Sequence, residues 1–267
     1  MCLKKHDIIH RTNFEYTNFF YNYIIYKESI YKIWRDEMKT IGLIGGMSWE
    51  STVTYYEIIN RTIKEKLGGL HSGKIVLFSV DFQEIEECQA KGEWDKSAEI
   101  LTEAAQNLEK AGADFIVICT NTMHKIAPDI QEKISIPILH IAEATADELD
   151  KKNIKKVALL GTKYTMEQDF YKNKLVDRGI EVIVPNDEDR AEVNRVIYEE
   201  LCLGNIVSAS KKRFLDIMKS LVKEGAQGVI LGCTEIGLLV QQKDTDISLF
   251  DTAAIHAERA ALKAIEK

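Results

Sequence analysis

The chain has 267 residues, 45% of them hydrophobic, and a formal net charge of −7, which allows two ordinary domains or one large one with a proper core. The acidic balance without a basic tract argues against nucleic acid and anionic membrane as partners, and no apolar run reaches the roughly 20 residues of a bilayer-spanning helix. Five cysteines without C-x2-C spacing make neither a disulfide framework nor a zinc site, so a reducing, cytoplasmic setting is expected.

Residues 1–37 contain no Gly, Ala, Val or Pro and are crowded with Phe, Tyr, Asn, Ile and Lys. Phe19–Tyr26 is apolar but too short for a signal peptide core, and no small-residue cleavage site follows. The segment reads as a partner- or membrane-binding arm, or as upstream sequence translated ahead of a start at Met38. Trp34-Arg35 permits a purine-rich, ribosome-binding-like codon pair just before that methionine.

An α/β rhythm begins at Lys39. Ile41–Ile44 reads as a strand and Gly45-Gly46 as a turn. Ser48 is placed to cap a helix from about Trp49 to Lys66, with Glu50 in its first turn. Gly42-x-x-Gly45-Gly46 lacks the dinucleotide-binding spacing, though amides at that helix start suit a carboxylate. Lys74–Val80 is the second strand, Asp81–Gln89 an acidic loop or short helix, and Trp94–Lys110 an amphipathic helix. Phe115–Ile118 is a buried parallel strand. A helix over Met123–Lys133 and a strand over Pro137–Ile141 complete the first half. His124 and His140 are candidate bases or structural histidines. The second half restarts at Lys155, with strands over Val157–Leu160, Glu181–Val184, the run before Cys233, and Ile247–Phe250. Its helices are expected over Tyr164–Arg178, Asp187–Leu203 and Ile206–Lys223, and Asp251 caps a last one that packs back on the first half.

The chain repeats itself. Asp114-Phe-Ile-Val-Ile-Cys119-Thr and Gly228-Val-Ile-Leu-Gly-Cys233-Thr are both apolar strands ending in Cys-Thr, each after a Gly-Ala helix end. Gly45 and Gly161 lie 116 residues apart and the two cysteines 114 apart. Near-equal spacing at two landmarks predicts two similar halves. A thiol at a strand end before a helix N-terminus gains amide donors and positive dipole potential, which favours thiolate. Two such thiols across one cleft suit removing a proton from one face of a carbon and adding one to the other. Cys2, Cys88 and Cys202 lack this placement and read as incidental.

Cys119-Thr-Asn-Thr-Met-His124, Gly232-Cys-Thr-Glu235 and Ile41-Gly-Leu-Ile-Gly-Gly-Met47 resemble the aspartate/glutamate racemases that work without pyridoxal phosphate. Gly46–Thr52, Gly161–Tyr171 and Phe250–Ala257 look like the bacterial branch that includes a broad-specificity amino-acid racemase. The resemblance covers Met38 to the C-terminus. It implies an α/β fold of two pseudo-symmetric flavodoxin-like domains, each with a parallel four-stranded sheet: 38–141 plus 248–267, and 142–247. It implies a homodimer, no cofactor and no metal, and Cys119 and Cys233 as the acid/base pair. Met47, Ser48, Thr120, Asn121, Thr122, Thr234 and Glu235 would hold the amino acid's carboxylate and ammonium, with Gln89 beside its side chain. Aspartate-specific members carry basic residues where this chain has Gln83–Glu87. Arg190 and Arg195 are the remaining candidates for a distal carboxylate. Aspartate or glutamate is the first expected substrate, and other amino acids such as homoserine are the alternative. A related isomerase or decarboxylase on a malonate-like acid, or a non-catalytic amino-acid sensor, would fit the same fold.

Overall fold

The structure is a computed structural model that describes residues 38–266. The expectations for residues 1–37 lie outside the described residues. Residues 39–264 form one compact unit built from two parallel four-stranded sheets.

The first half contains β1 (Ile41–Gly45), α1 (Trp49–Leu67), β2 (Ile75–Ser79), α2 (Phe82–Lys91), α3 (Trp94–Lys110), β3 (Phe115–Ile118), a 3-10 turn (Thr122–Ile126), α4 (Ala127–Gln131) and β4 (Ile138–Leu139). Next come α5 (Ile141–Lys151), β5 (Lys156–Gly161), α6 (Lys163–Glu167), α7 (Asp169–Val176), β6 (Glu181–Ile183), α8 (Asp187–Glu199) and α9 (Ser208–Lys223). The chain ends with β7 (Val229–Gly232), α10 (Ile236–Leu239), β8 (Leu249–Asp251) and α11 (Thr252–Ile265). The sheet orders are β2-β1-β3-β4 and β6-β5-β7-β8. The second order is the first with every index advanced by four, which is the repeat read from the glycines and cysteines. Every pairing is parallel. In such sheets helices cover the faces, so central strands are apolar throughout: β1, β3 and β7 are buried at every residue.

Helix α3 shows how the faces are covered. Leu101, Ala104, Ala105 and Leu108 recur at helical spacing and are buried. They pack with Ile44, Ile116 and Ile118 of the first sheet. In the second half, Val193, Val196 and Ile197 of α8 and Phe214, Ile217, Met218 and Leu221 of α9 cover Ala158, Leu160, Val229 and Leu231. The other face of that sheet, with Val157, Leu159 and Ile230, lies under Leu149, Tyr171 and Leu175.

Several elements differ from the sequence reading, each for a local reason. The helix expected over Tyr164–Arg178 is broken at Gln168, whose backbone is extended (φ −91, ψ 162). The helix expected to reach Leu203 stops at Glu199, where Glu200 leaves helical geometry, and a 3-10 turn over Leu201–Leu203 closes on the left-handed Gly204. The expected Met123–Lys133 helix is a 3-10 turn followed by α4, with proline in its first turn. The strand expected through Ile141 ends at Leu139, because His140 caps α5 and accepts from the Ala142 amide at 3.2 Å. Helix α5 itself was not anticipated. Leu249–Asp251, placed with the first half by a boundary at 248, pairs with β7 as the edge of the second sheet. Within that C-terminal segment it is α11 that packs on the first half: Asp251 caps it as expected, and His256 bonds the Leu139 carbonyl and the Tyr55 hydroxyl.

Candidate active site between the sheet ends

In open parallel sheets the ligand crevice lies beyond the carboxyl ends of the strands. Here the loops after β1, β3, β5 and β7 meet there. Two glycines permit the close approach of β5 and β7: a Cβ on Gly161 would stand 2.7 Å from the Gly232 carbonyl oxygen. At the β1 end, Gly46 has φ +93, open to glycine and rarely to other residues. Its amide donates to Thr52 Oγ1 at 2.9 Å, and Thr52 in turn donates to the Ser48 carbonyl at 2.8 Å. Ser48 caps α1 by accepting from the Ser51 amide.

The cavity has a volume of about 20 Å³, room for about one water molecule. From the predicted set, Met47, Gln89, Thr120, Asn121, Thr122, Cys233 and Glu235 line it. Cys119, Ser48 and Thr234 do not. Cys119 is fully buried directly behind Thr120, its amide bonded to the Ile44 carbonyl and its Sγ 3.8 Å from the Val117 carbonyl. Ser48 and Thr234 stand behind Glu235. That carboxylate accepts from the Ser48 amide at 3.2 Å and the Ser48 hydroxyl at 2.8 Å on Oε1. On Oε2 it accepts from the Cys233 thiol and the Thr234 hydroxyl, both at 2.9 Å. One buried carboxylate therefore ties the α1 cap to the second cysteine.

Other contacts close the two sheet ends on each other. Thr122 and Thr162 hydroxyls lie 3.0 Å apart, and Asn121 Nδ2 donates to Thr252 Oγ1 at 2.9 Å. The Tyr198 hydroxyl donates to Gln89 Oε1 at 3.1 Å and the Tyr164 hydroxyl to the Gln89 carbonyl at 3.0 Å. Asn121 Oδ1 is buried without a hydrogen-bond partner. An orphaned acceptor costs about 1–3 kcal/mol, and on a cavity wall it suits a ligand N–H.

Burial pushes both thiols up from the ordinary cysteine range. For Cys119 it is the sole cause. For Cys233 burial comes first, followed by the Glu235 charge and Cys202. Burial disfavours a charge that loses its water, and a neighbouring anion adds to the effect.

Cys202, read from sequence as incidental, lines the cavity together with Phe82, Thr162, Ile197 and Tyr198. The 3-10 turn after α8 carries it there. Thr162 had a signal, since it follows the glycine equivalent to Gly45. Tyr198 and Cys202 had none, because the end of α8 is a tertiary outcome. Arg190 and Arg195 are elsewhere. Arg190 bonds Asp187 at 2.7 Å, the Pro185 carbonyl and Glu167. Arg195 bonds Glu192 and Glu200 at 2.9 Å. The histidines are structural. His124 Nδ1–H donates to the Thr120 carbonyl, since its Nε2 accepts from the Ile141 amide. Its ring stacks edge-on with those of His140 and His256. Burial depresses the three to about 4, about 2 and about 3, respectively.

A sequence model of the family described as Asp/Glu/hydantoin racemase matches residues 44–260. The chain belongs to that family. A broad-specificity amino-acid racemase of Bacillus subtilis is 29% identical over 164 residues, 61% of this chain and 70% of that protein. The crystal structure of a candidate Asp/Glu racemase from Yersinia pestis is 56% identical, with a TM-score of 0.80 over 86% of this chain and 100% of that one. An aspartate racemase homologue from Pyrococcus horikoshii is 40% identical, with a TM-score of 0.75 over 86% of this chain and all of that one. The two-sheet architecture is thus the racemase fold, and the match takes in both Cys-Thr loops. Among the described residues no helix is long and apolar enough to cross a membrane.

Proposed function

We propose that this protein racemises a free α-amino acid without pyridoxal phosphate or metal, using Cys119 and Cys233 as the acid/base pair. The observation that carries this reading is the repeat-equivalent position of the two thiols, at the carboxyl ends of β3 and β7. The residues following both strands line one cavity. On one face of the α-carbon a thiolate takes the α-proton, and on the other face a thiol returns one. The charge left on the α-carbon spreads into the substrate carboxylate, where hydroxyl and amide donors at Thr120 and Thr122 stabilise it, while Ser48 and Thr234 hold Glu235 in place. Asn121 Oδ1 and Glu235 accept from the ammonium. Burial disfavours the charged thiolate at both cysteines, so one thiolate forms when the sheet ends part to admit substrate and solvent, and water takes the thiol proton.

A homodimer is the working assembly in this reading. Trp49, Val53 and Tyr56 recur at helical spacing on α1 and are exposed, an apolar stripe that a second copy would cover.

The test is proton exchange in deuterated water, followed by NMR on single amino acids. Early product should carry deuterium at the α-carbon while remaining substrate keeps hydrogen, because the returning thiol exchanges with solvent before binding. Cys119→Ala and Cys233→Ala should each abolish racemisation while leaving the fold intact. Near wild-type racemisation by either variant would refute the paired-thiol mechanism.

A further inference from the structure

We infer that the side-chain end of this site takes non-acidic amino acids, those with uncharged or cationic side chains, and discriminates against aspartate and glutamate. The inference rests on the racemase reading and names its substrate class. Among the described residues lining the cavity there is no lysine, arginine or histidine. An aspartate or glutamate bound there would bury a second carboxylate with no cation to meet it, which is strongly unfavourable.

The nearby cations are committed elsewhere. Arg190 and Arg195 are held by carboxylates of α8 and its neighbours. Lys163, which follows Thr162, has its Nζ over the Tyr164 ring at 5.0 Å. Lys125 lies over Trp94 at 3.8 Å. The charges that do act on this wall are negative. Glu235 lines the cavity. Burial first pushes the Cys202 thiol and the Tyr198 hydroxyl up; the charges of Glu235 and Glu50 add to it at Cys202, and that of Glu86 adds a smaller share at Tyr198. Glu50 Oε2 is buried with no hydrogen-bond partner, so it repels an anion and accepts from a donor.

The remaining groups suit uncharged contacts. Gln89 receives the Tyr198 hydroxyl on Oε1 and spends its amide nitrogen on Met123 Sδ, a weak acceptor. A substrate side chain with a hydroxyl, amide or thioether can take the place of the Met123 sulfur as acceptor of that N–H. Phe82, Ile197 and Met47 supply apolar walls. Gln89 and Tyr198 come from different halves, so a side chain that parts them also opens a cavity now sized for one water. The two are the specificity-determining residues of the site.

The experiment measures kcat/KM for α-proton exchange with L-methionine, L-glutamine and L-lysine against L-aspartate and L-glutamate. The best of the first three should exceed both acids by tenfold or more. An acid turned over as fast as the best non-acidic substrate would overturn the inference. Calorimetric binding of the same five amino acids to the Cys119→Ala/Cys233→Ala double variant separates the two readings. If no amino acid exchanges in the wild type, the racemase reading falls, and the binding order alone decides the side-chain class. Tyr198→Lys supplies the missing cation and should raise the aspartate-to-methionine ratio of kcat/KM at least tenfold. Gln89→Arg serves the same purpose if Tyr198→Lys does not fold. An unchanged ratio in a folded variant would show that this wall does not meet the side chain.

Discussion

The Glu235→Gln substitution should make Cys233 easier to ionise. In the wild type a carboxylate oxygen sits 2.9 Å from the Cys233 sulfur, and its charge opposes formation of a second anion there. At that distance two unit charges repel by about 1.4 kcal/mol with the dielectric of water, and by about 6 kcal/mol at an effective dielectric of about 20. Removing the charge therefore moves thiolate formation at Cys233 to lower pH. Glutamine can keep the Ser48 contacts on its oxygen and turn its amide toward the sulfur, adding a donor that stabilises the thiolate. The assay is the rate of iodoacetamide alkylation across pH, with the modified residue located by mass spectrometry. Cys119 is the internal control, because burial alone raises it, and its profile should stay in place. If the Cys233 profile in Glu235→Gln coincides with that of the wild type, or moves to higher pH, the electrostatic account of this site is wrong.

His124, His140 and His256, depressed to about 4, 2 and 3, stay neutral in the fold, while the unfolded chain takes up their protons near pH 6.5. Their contribution is complete above about pH 6.5 and is lost as pH falls toward 4, at up to about 1.4 kcal/mol per pH unit for each. Urea midpoints should therefore drop between pH 6.5 and 4.5, less steeply in His256→Gln, and equal slopes would contradict the neutral cluster. Gly46→Ala should cost about 1–3 kcal/mol, since φ is +93 and the new Cβ would meet the Val80 backbone. Gly68→Ala, with positive φ but nothing near its Cβ, should be milder, and equal losses would show that the Val80 contact is immaterial.

The sequence by itself determined the repeat, the class of fold and the two thiols. Parallel strands buried on both faces must be written as short apolar runs, and the residue ending such a run lies at the carboxyl edge of the sheet whatever surrounds it. Cys119 and Cys233 were therefore legible from strand ends, as were Ser48 as a cap and the turn at Gly46. Helix interruptions were not legible, because neither Gln168 nor Glu200, where the backbone leaves helical geometry, is a glycine or proline that would announce a break. The break at Glu200 decides that Cys202 lines the cavity, a residue that sequence spacing had set aside. Long-range polar pairing was equally hidden. Ser48 and Glu235 stand 187 residues apart, and Gln89 and Tyr198 stand 109 apart. The arginines of α8 looked available until their own helix supplied the carboxylates that hold them. Local pattern placed the two thiols at strand ends, and only the meeting of the two halves decided which charges line the cavity.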